Sequence, residues 1–273
     1  MGTVFLDLNC PRGWASLSQS QLMSVFRLMS MGYSMPEVKL LALLKFSRCK
    51  VLGRKRPVRP GEPFRWLVAQ RKRFYEVTTM QFAEVLGFMS WMDEIPDLPV
   101  RLDYWRGRRA VDSLFQGVPF NKFIITENLY QGYLDSNNDS FLREIADTLY
   151  CRQSLPSRLG GLFSRRCRFR GARNRRAFLI SVFYWVASLK KYFSARFPDF
   201  FQPLQSGSGN LLGSAQPLGR QLEDSMNAQI RALTKGDITK EEEILNLDTW
   251  RALTELNAQA KEYAEFNARI KSN

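Results

Sequence analysis

The sequence contains no histidine. That removes Ser-His and Cys-His nucleophilic arrangements and histidine-based metal sites together. No P-loop and no GxGxxG turn occurs to cradle a phosphate. The four cysteines, Cys10, Cys49, Cys151 and Cys167, are scattered without CxxC spacing, so they read as incidental thiols of a reduced protein, not as a disulfide framework or zinc site. Long apolar runs are absent too. The longest, Ala177 to Leu189, spans about 13 residues against the ~20 a bilayer requires, so no membrane partner is expected. Asp93, Glu94 and Asp97 cluster, but beside Pro96 and Pro99, and read as solvated turn residues. Glu241 to Glu243 fall in a first helical turn, where acids suit the dipole. No catalytic, cofactor-binding or metal-binding residue emerges, and the chain reads as a non-enzyme with no cofactor.

Acids are scarce where bases are dense. Residues 1–200 hold 32 of the 40 Lys and Arg but 16 of the 26 Asp and Glu, a net of +16; residues 201–273 hold the remaining 8 and 10, a net of −2. From Lys45 to Arg73 eleven basic residues stand against one acid, Glu62, and from Arg152 to Arg176 there are nine Arg and no acid. Arg54, Lys55, Arg56 and Arg59 in the first stretch, and Arg165, Arg166, Arg168, Arg170 and Arg173 in the second, are the candidate sites for a polyanion or an acidic protein partner. Trp66, Phe74 and Phe169 stand ready to stack on bases. The bland alternative is a solvated basic loop, since no recognised nucleic-acid-binding motif accompanies them.

With twenty Phe, nine Tyr and six Trp, this is a folding chain able to bury a sizeable core. Residues 173–198 form its centre: a helix apolar on nearly every face, hence surrounded by other helices, and stopped by Pro198. Before it, Val4 to Leu8 suggests an edge strand. Ser18 with Gln21, Ser34 with Glu37 and Thr78 with Gln81 are capping boxes opening helices, the second with Pro36 in its first turn. The third of these helices is expected over Phe82 to Met92. Lys45 to Arg73, with Pro57, Pro60, Gly61 and Pro63, reads as a turn or hairpin loop, and Arg101 to Gly117 as irregular or short-stranded. Further helices follow at Phe120 to Leu134 and Phe141 to Tyr150.

Pro203 to Gly219 has linker composition. Beyond it, Arg220 to Thr234 reads as helical and is closed by Gly236. A capping box at Thr239 and Glu242 opens a last helix of ~28 residues. Ile244, Leu247, Leu253, Leu256 and Tyr263 lie on its apolar stripe and are the candidate residues for binding a partner helix. The expected architecture is mainly α: a multi-helix orthogonal bundle with a small β-hairpin or loop insertion, plus a C-terminal helical segment. Its expected parts are a basic helical domain over 1–202, a Gly/Ser/Pro-rich linker over 203–219, and a helical hairpin or amphipathic helix over 220–273.

Several segments stand in the order of a known family: Trp14 with Leu17-Ser-Gln-Ser-Gln-Leu22, the leucine-rich Lys39 to Phe46, the Thr-capped Thr78 to Met92, the paired aromatics of Phe120 to Tyr133, Leu149-Tyr-Cys-Arg152, and Ala177 to Phe193 ending in Arg196-Phe-Pro198. Together they resemble the tail assembly chaperones of tail-gene modules in phages and prophages of Bacteroidetes. The likeness covers about residues 10–200 and rests on spacing and residue class. At Leu149 to Arg152 the family tends to have Leu-Tyr-Arg-Pro, and this chain is richer in Arg between Arg152 and Arg176. The tail, through Ile230 to Lys240 and Asp248 to Leu256, resembles a short helical segment from the same kind of module. The resemblance implies a non-catalytic protein of the host bacterial cytoplasm, or one associated with the virion, that binds the tape-measure and tail-tube proteins; association into a homo-oligomer is left open. No residue-level site comes with it. The alternative is a basic nucleic-acid-binding or virion structural protein, for instance at a head-tail junction.

Overall fold

The computed structural model describes residues 6–55, 64–152, 172–201, 228, 230–234 and 237–272. These residues are mainly helical, with two small antiparallel three-stranded sheets. The chain divides into two compact units, one of Met1–Pro96 and Phe169–Ser181, the other of Asp97–Arg168 and Val182–Asn273.

In the first unit the capping boxes start their helices where the sequence places them. Ser18 accepts from the Gln21 N–H and Gln21 from the Ser18 N–H, opening α1 (Gln19–Ser30). The Glu37 carboxylate accepts from both the N–H and the hydroxyl of Ser34 at the start of α2 (Met35–Phe46). Thr78 and Gln81 open α3 (Thr79–Gly87), which ends short of Met92 and gives way to a 3-10 turn, Ser90–Asp93. Trp14 sits buried against Phe26 and Trp91, its indole N–H donating to the carbonyls of Trp91 and Glu94.

The basic stretch expected as a turn or hairpin becomes a meander. β1 (Lys50–Lys55), β2 (Arg65–Gln70) and β3 (Arg73–Thr78) pair antiparallel in that order. Alternation decides it: Val68 and Val77, with Trp66 and Tyr75, point one way and pack with Leu44, Cys49, Phe82, Leu6 and Leu8. The edge strand expected at Val4 to Leu8 does not form among its described residues. Gln70 holds Asp7 instead, its side-chain amide donating to the Asp7 carbonyl at 2.6 Å and accepting from its N–H.

The second unit holds the short strands β4 (Tyr104–Trp105), β5 (Arg108–Ala110) and β6 (Tyr150–Arg152), with α4 (Phe120–Ser136) and α5 (Asp139–Leu149) between the last two. Asn137 takes the left-handed conformation that closes α4, and the Asn138 side chain caps α5. The long α6 (Ala172–Arg196) runs through the boundary between 181 and 182. It is the central helix the sequence indicates: Val182, Trp185, Val186, Leu189 and Phe193 are all buried. Trp185 donates its indole N–H to the Ser113 carbonyl at 2.9 Å and meets Phe115 and Tyr150 edge-on.

The C-terminal region departs from expectation. The boundary expected at 202/203 does not set the rest apart as an appended segment; the described residues of the C-terminal part belong to the second unit. The expected ~28-residue helix is broken. A 3-10 turn at Ile238–Lys240 leads into α7 (Glu241–Asn246), then Leu247 and Asp248 interrupt, and α8 (Thr249–Ser272) follows. Thr239 does not act as an N-cap; its hydroxyl donates to Asp237. Asp248 does, accepting from the N–H groups of Trp250 and Arg251 while its other oxygen accepts from Gly117 N–H at 2.7 Å. The helix restarts there because Leu247 gives its carbonyl to Phe120 N–H at 2.8 Å instead of continuing the α-helical ladder. The expected linker, 203–219, lies outside the described residues, as do most of 220–234; 230–234 are helical.

Candidate binding surfaces

The expected basic site is partly described. Arg54 and Lys55 lie on β1 and are exposed. Arg56 and Arg59, and Arg165, Arg166, Arg168 and Arg170, lie outside the described residues, and Arg173 is placed as backbone in the first turn of α6. The structure does not bring the two stretches into one described site.

The register of the meander sorts its side chains. On the face opposite the packed core, one cross-strand row is Lys50, Ala69 and Phe74, the next Gly53, Leu67 and Glu76, the next Lys55, Arg65 and Thr78. A bulge at Leu52 shifts β1 by one residue and so puts Lys50 and Lys55 on the same face despite their odd spacing. Lys50, Lys55, Arg65, Phe74 and Glu76 are exposed, Phe74 by 67%. Glu76 is the single acid here among the described residues, and Lys55 and Arg65 both pair with it. The hydrogen bond from Lys55, its charge and the weaker contribution of Arg65 hold the Glu76 carboxyl below its ordinary range. At the sheet's margin the Arg54 guanidinium lies 3.4 Å from the centroid of the Phe64 ring and 5.8 Å from that of Trp66.

The strongest basic feature was not singled out in the sequence. β2 and β3 join through two residues, Arg71 and Lys72, closed by the Gln70–Arg73 pair. Both have positive φ, 46° and 67°, the pattern of a type I′ hairpin turn. Asn-Gly is the usual occupant, so Arg-Lys carries no turn signal, and only alternation on both sides marks the hairpin.

The expected partner-helix stripe divides in two. Leu253 and Leu256 are buried in the second unit, at 0% and 4% exposure, and so are core residues unavailable to a partner; Ile244 and Leu247 are half-buried, in and just after α7. Leu253 and Leu256 are lost to a partner because α8 is anchored at its start: the rings of Tyr192, Phe193 and Phe197 close round Trp250, and Asn257 accepts from the N–H groups of Asp199 and Phe200. Past Ala260 the helix is exposed. Tyr263, Phe266 and Ile270 are 69%, 61% and 57% exposed, and their spacing of three and four residues sets them on one face. Phe266 completes this stripe alongside the expected Tyr263.

Two of the three clustered acids form ion pairs. Asp93 pairs with Lys39, Asp97 with Lys191. Among the described residues no group of His, Cys, Asp or Glu is placed to hold a metal ion, and no helix is long and apolar enough to cross a membrane. No protein-family model, curated protein or solved structure matches the chain.

Proposed function

We propose that this protein is a non-catalytic tail assembly chaperone, or a closely associated tail-module protein, that holds amphipathic helices of tape-measure and tail-tube partners in the host bacterial cytoplasm. One observation supports this reading above others. α8 is bedded through Leu256 and then runs on for about four turns with Tyr263, Phe266 and Ile270 facing solvent. A monomer gains nothing by exposing three large apolar side chains in line, whereas a helical partner burying them gains about 25 cal/mol per Å² of apolar surface. The mixed sign of the flanking charges, Lys261, Glu262, Glu265 and Arg269, suits an antiparallel or parallel helical partner better than a polyanion.

The test is co-expression with a tape-measure protein from a Bacteroidetes phage tail module. Y263S/F266S/I270S should retain the native melting temperature and lose at least ten-fold in co-purified tape-measure protein, a loss that persists at high salt. Undiminished capture by this variant would overturn the reading.

A further inference from the structure

A second surface, independent of the helical-partner reading, has a different chemistry. We propose that the outer face of the β1–β3 meander, together with its Arg71-Lys72 turn, binds single-stranded nucleic acid. Three observations carry it.

The first is charge. Lys50, Arg71, Lys72 and Arg73 are exposed, and no carboxylate among the described residues pairs with any of them. Among the described residues the only acid on the outer face, Glu76, is already shared by Lys55 and Arg65. Cations left without a counter-charge release condensed ions when phosphates replace solvent, and this drives association with a polyanion.

The second is aromatic exposure inside that basic field. Phe74 stands 67% exposed in the row of Lys50 and next along its strand to the Arg71-Lys72 turn, while Arg73 between them has its side chain on the opposite face. Its cross-strand neighbour is the small Ala69, with Lys50 beyond it in the same row. An exposed ring with so small a neighbour accepts the face of an unpaired base, and stacking of this kind tolerates any base. Bases inside a duplex offer no such face, and an acidic polypeptide has no use for it. This favours a single strand over either.

The third is the turn itself. Arg71 and Lys72 occupy two successive left-handed positions that favour Asn and Gly, a conformation unfavourable for both side chains. The strain presents two long cations at the tip of the hairpin, next along the chain to the strand that carries Phe74. A turn serving only to reverse the chain has better occupants.

The substitution R71N/K72G therefore separates fold from function, since it supplies the preferred turn residues while removing both charges. Anisotropy of a labelled oligothymidylate of about 20 nucleotides, titrated with the full chain at about 50 and 200 mM salt, reads the result. The native chain should bind, with affinity falling steeply with salt. R71N/K72G should melt no lower than the native chain, bind more than ten-fold more weakly at the lower salt, and show a log–log salt slope shallower by about 1.4 units. F74A should lose roughly 5- to 150-fold with its slope unchanged. Absence of binding at the lower salt would overturn the proposal, as would full-strength binding by both variants, which would place the contact on other cations. Equal binding of a same-length duplex or of polyglutamate, with F74A silent, would overturn the single-strand assignment in favour of a duplex-binding or acidic-protein-docking surface.

Discussion

Thr249 places both its backbone N–H and its hydroxyl on the Val118 carbonyl, at 2.9 and 2.6 Å. The residue is fully buried, and with Asp248 on Gly117 N–H and the Trp250 indole on the Leu114 carbonyl it ties the start of α8 to the segment leading into α4. These bonds join residues more than 130 positions apart in the chain, and they make the C-terminal helix part of the second unit's core.

W250A should therefore destabilise the protein by about 3 kcal/mol, because it removes the ring that Tyr192, Phe193 and Phe197 surround. T249V should cost less, about 1 kcal/mol, since the Thr249 N–H still satisfies the Val118 carbonyl. Ending the chain near residue 203 should expose Val118, Phe120 and Phe193 and produce aggregation. Denaturant unfolding of the two variants and light scattering of the truncation measure this. An unmoved melting temperature after truncation would mean that the C-terminal helix is an appendage after all.

Removal of the last turns should behave oppositely. From Lys261 to Ile270 every residue except the half-buried Asn267 is exposed, so a chain ended after Ala260 should melt within a few degrees of the native one. Partner capture should be lost with it. Thermal melts and co-purification together distinguish this outcome from general damage.

The α4–α5 pair makes a third prediction. A Cβ at Gly132 would lie 2.8 Å from Cε1 of Phe141 and about as close to two more atoms of that ring. Alanine is the better helix former by about 1 kcal/mol, yet G132A should destabilise, because the ring must leave its place against α4. With F141L as partner the clash is relieved, and G132A/F141L should be more stable than F141L alone. A double-mutant cycle by urea unfolding reads the sign change.

Acid dependence follows from Glu37. Its two hydrogen bonds from Ser34 lower its carboxyl below the ordinary value, the hydroxyl contributing most. A carboxylate whose folded value is depressed contributes stability above its unfolded value, about 4.3, and loses it as pH falls through the folded value. The stability difference between the native chain and E37Q should thus be constant from neutral pH down to about 5 and shrink below about 4. A difference that stays constant through that range would show that the capping contact is not charge-dependent. Chemical denaturation across a pH series provides the measurement.

What the sequence made legible was local. Ser18-Gln21, Ser34-Glu37 and Thr78-Gln81 start helices where they stand because a capping box is satisfied within four residues and needs no distant partner. The apolar run of α6 indicates burial because a helix without a polar face has no stable exposed position. The meander was half legible: charge, Pro and Gly marked a turn or hairpin, but Arg71-Lys72 breaks the usual turn chemistry and hid the second turn and the third strand. The Thr239 box was misleading. Leu247 yields its carbonyl to Phe120, and the better cap, Asp248, sits nine residues further on.

By itself, then, the sequence determined the starts of the first three helices, the central hydrophobic helix and the basic character of the first two hundred residues, since each follows from neighbouring residues and from composition. Only the tertiary structure decided which apolar residues of the last helix remain available. Leu253 and Leu256 share a periodicity with Tyr263 and Ile270, and no local property separates the buried pair from the exposed one; the distinction arises where Asp248, Thr249 and Trp250 meet the segment from Leu114 to Val118. The same holds for the basic sheet, where strand register, not the count of cations, sets Lys50, Arg65 and Phe74 on one open face.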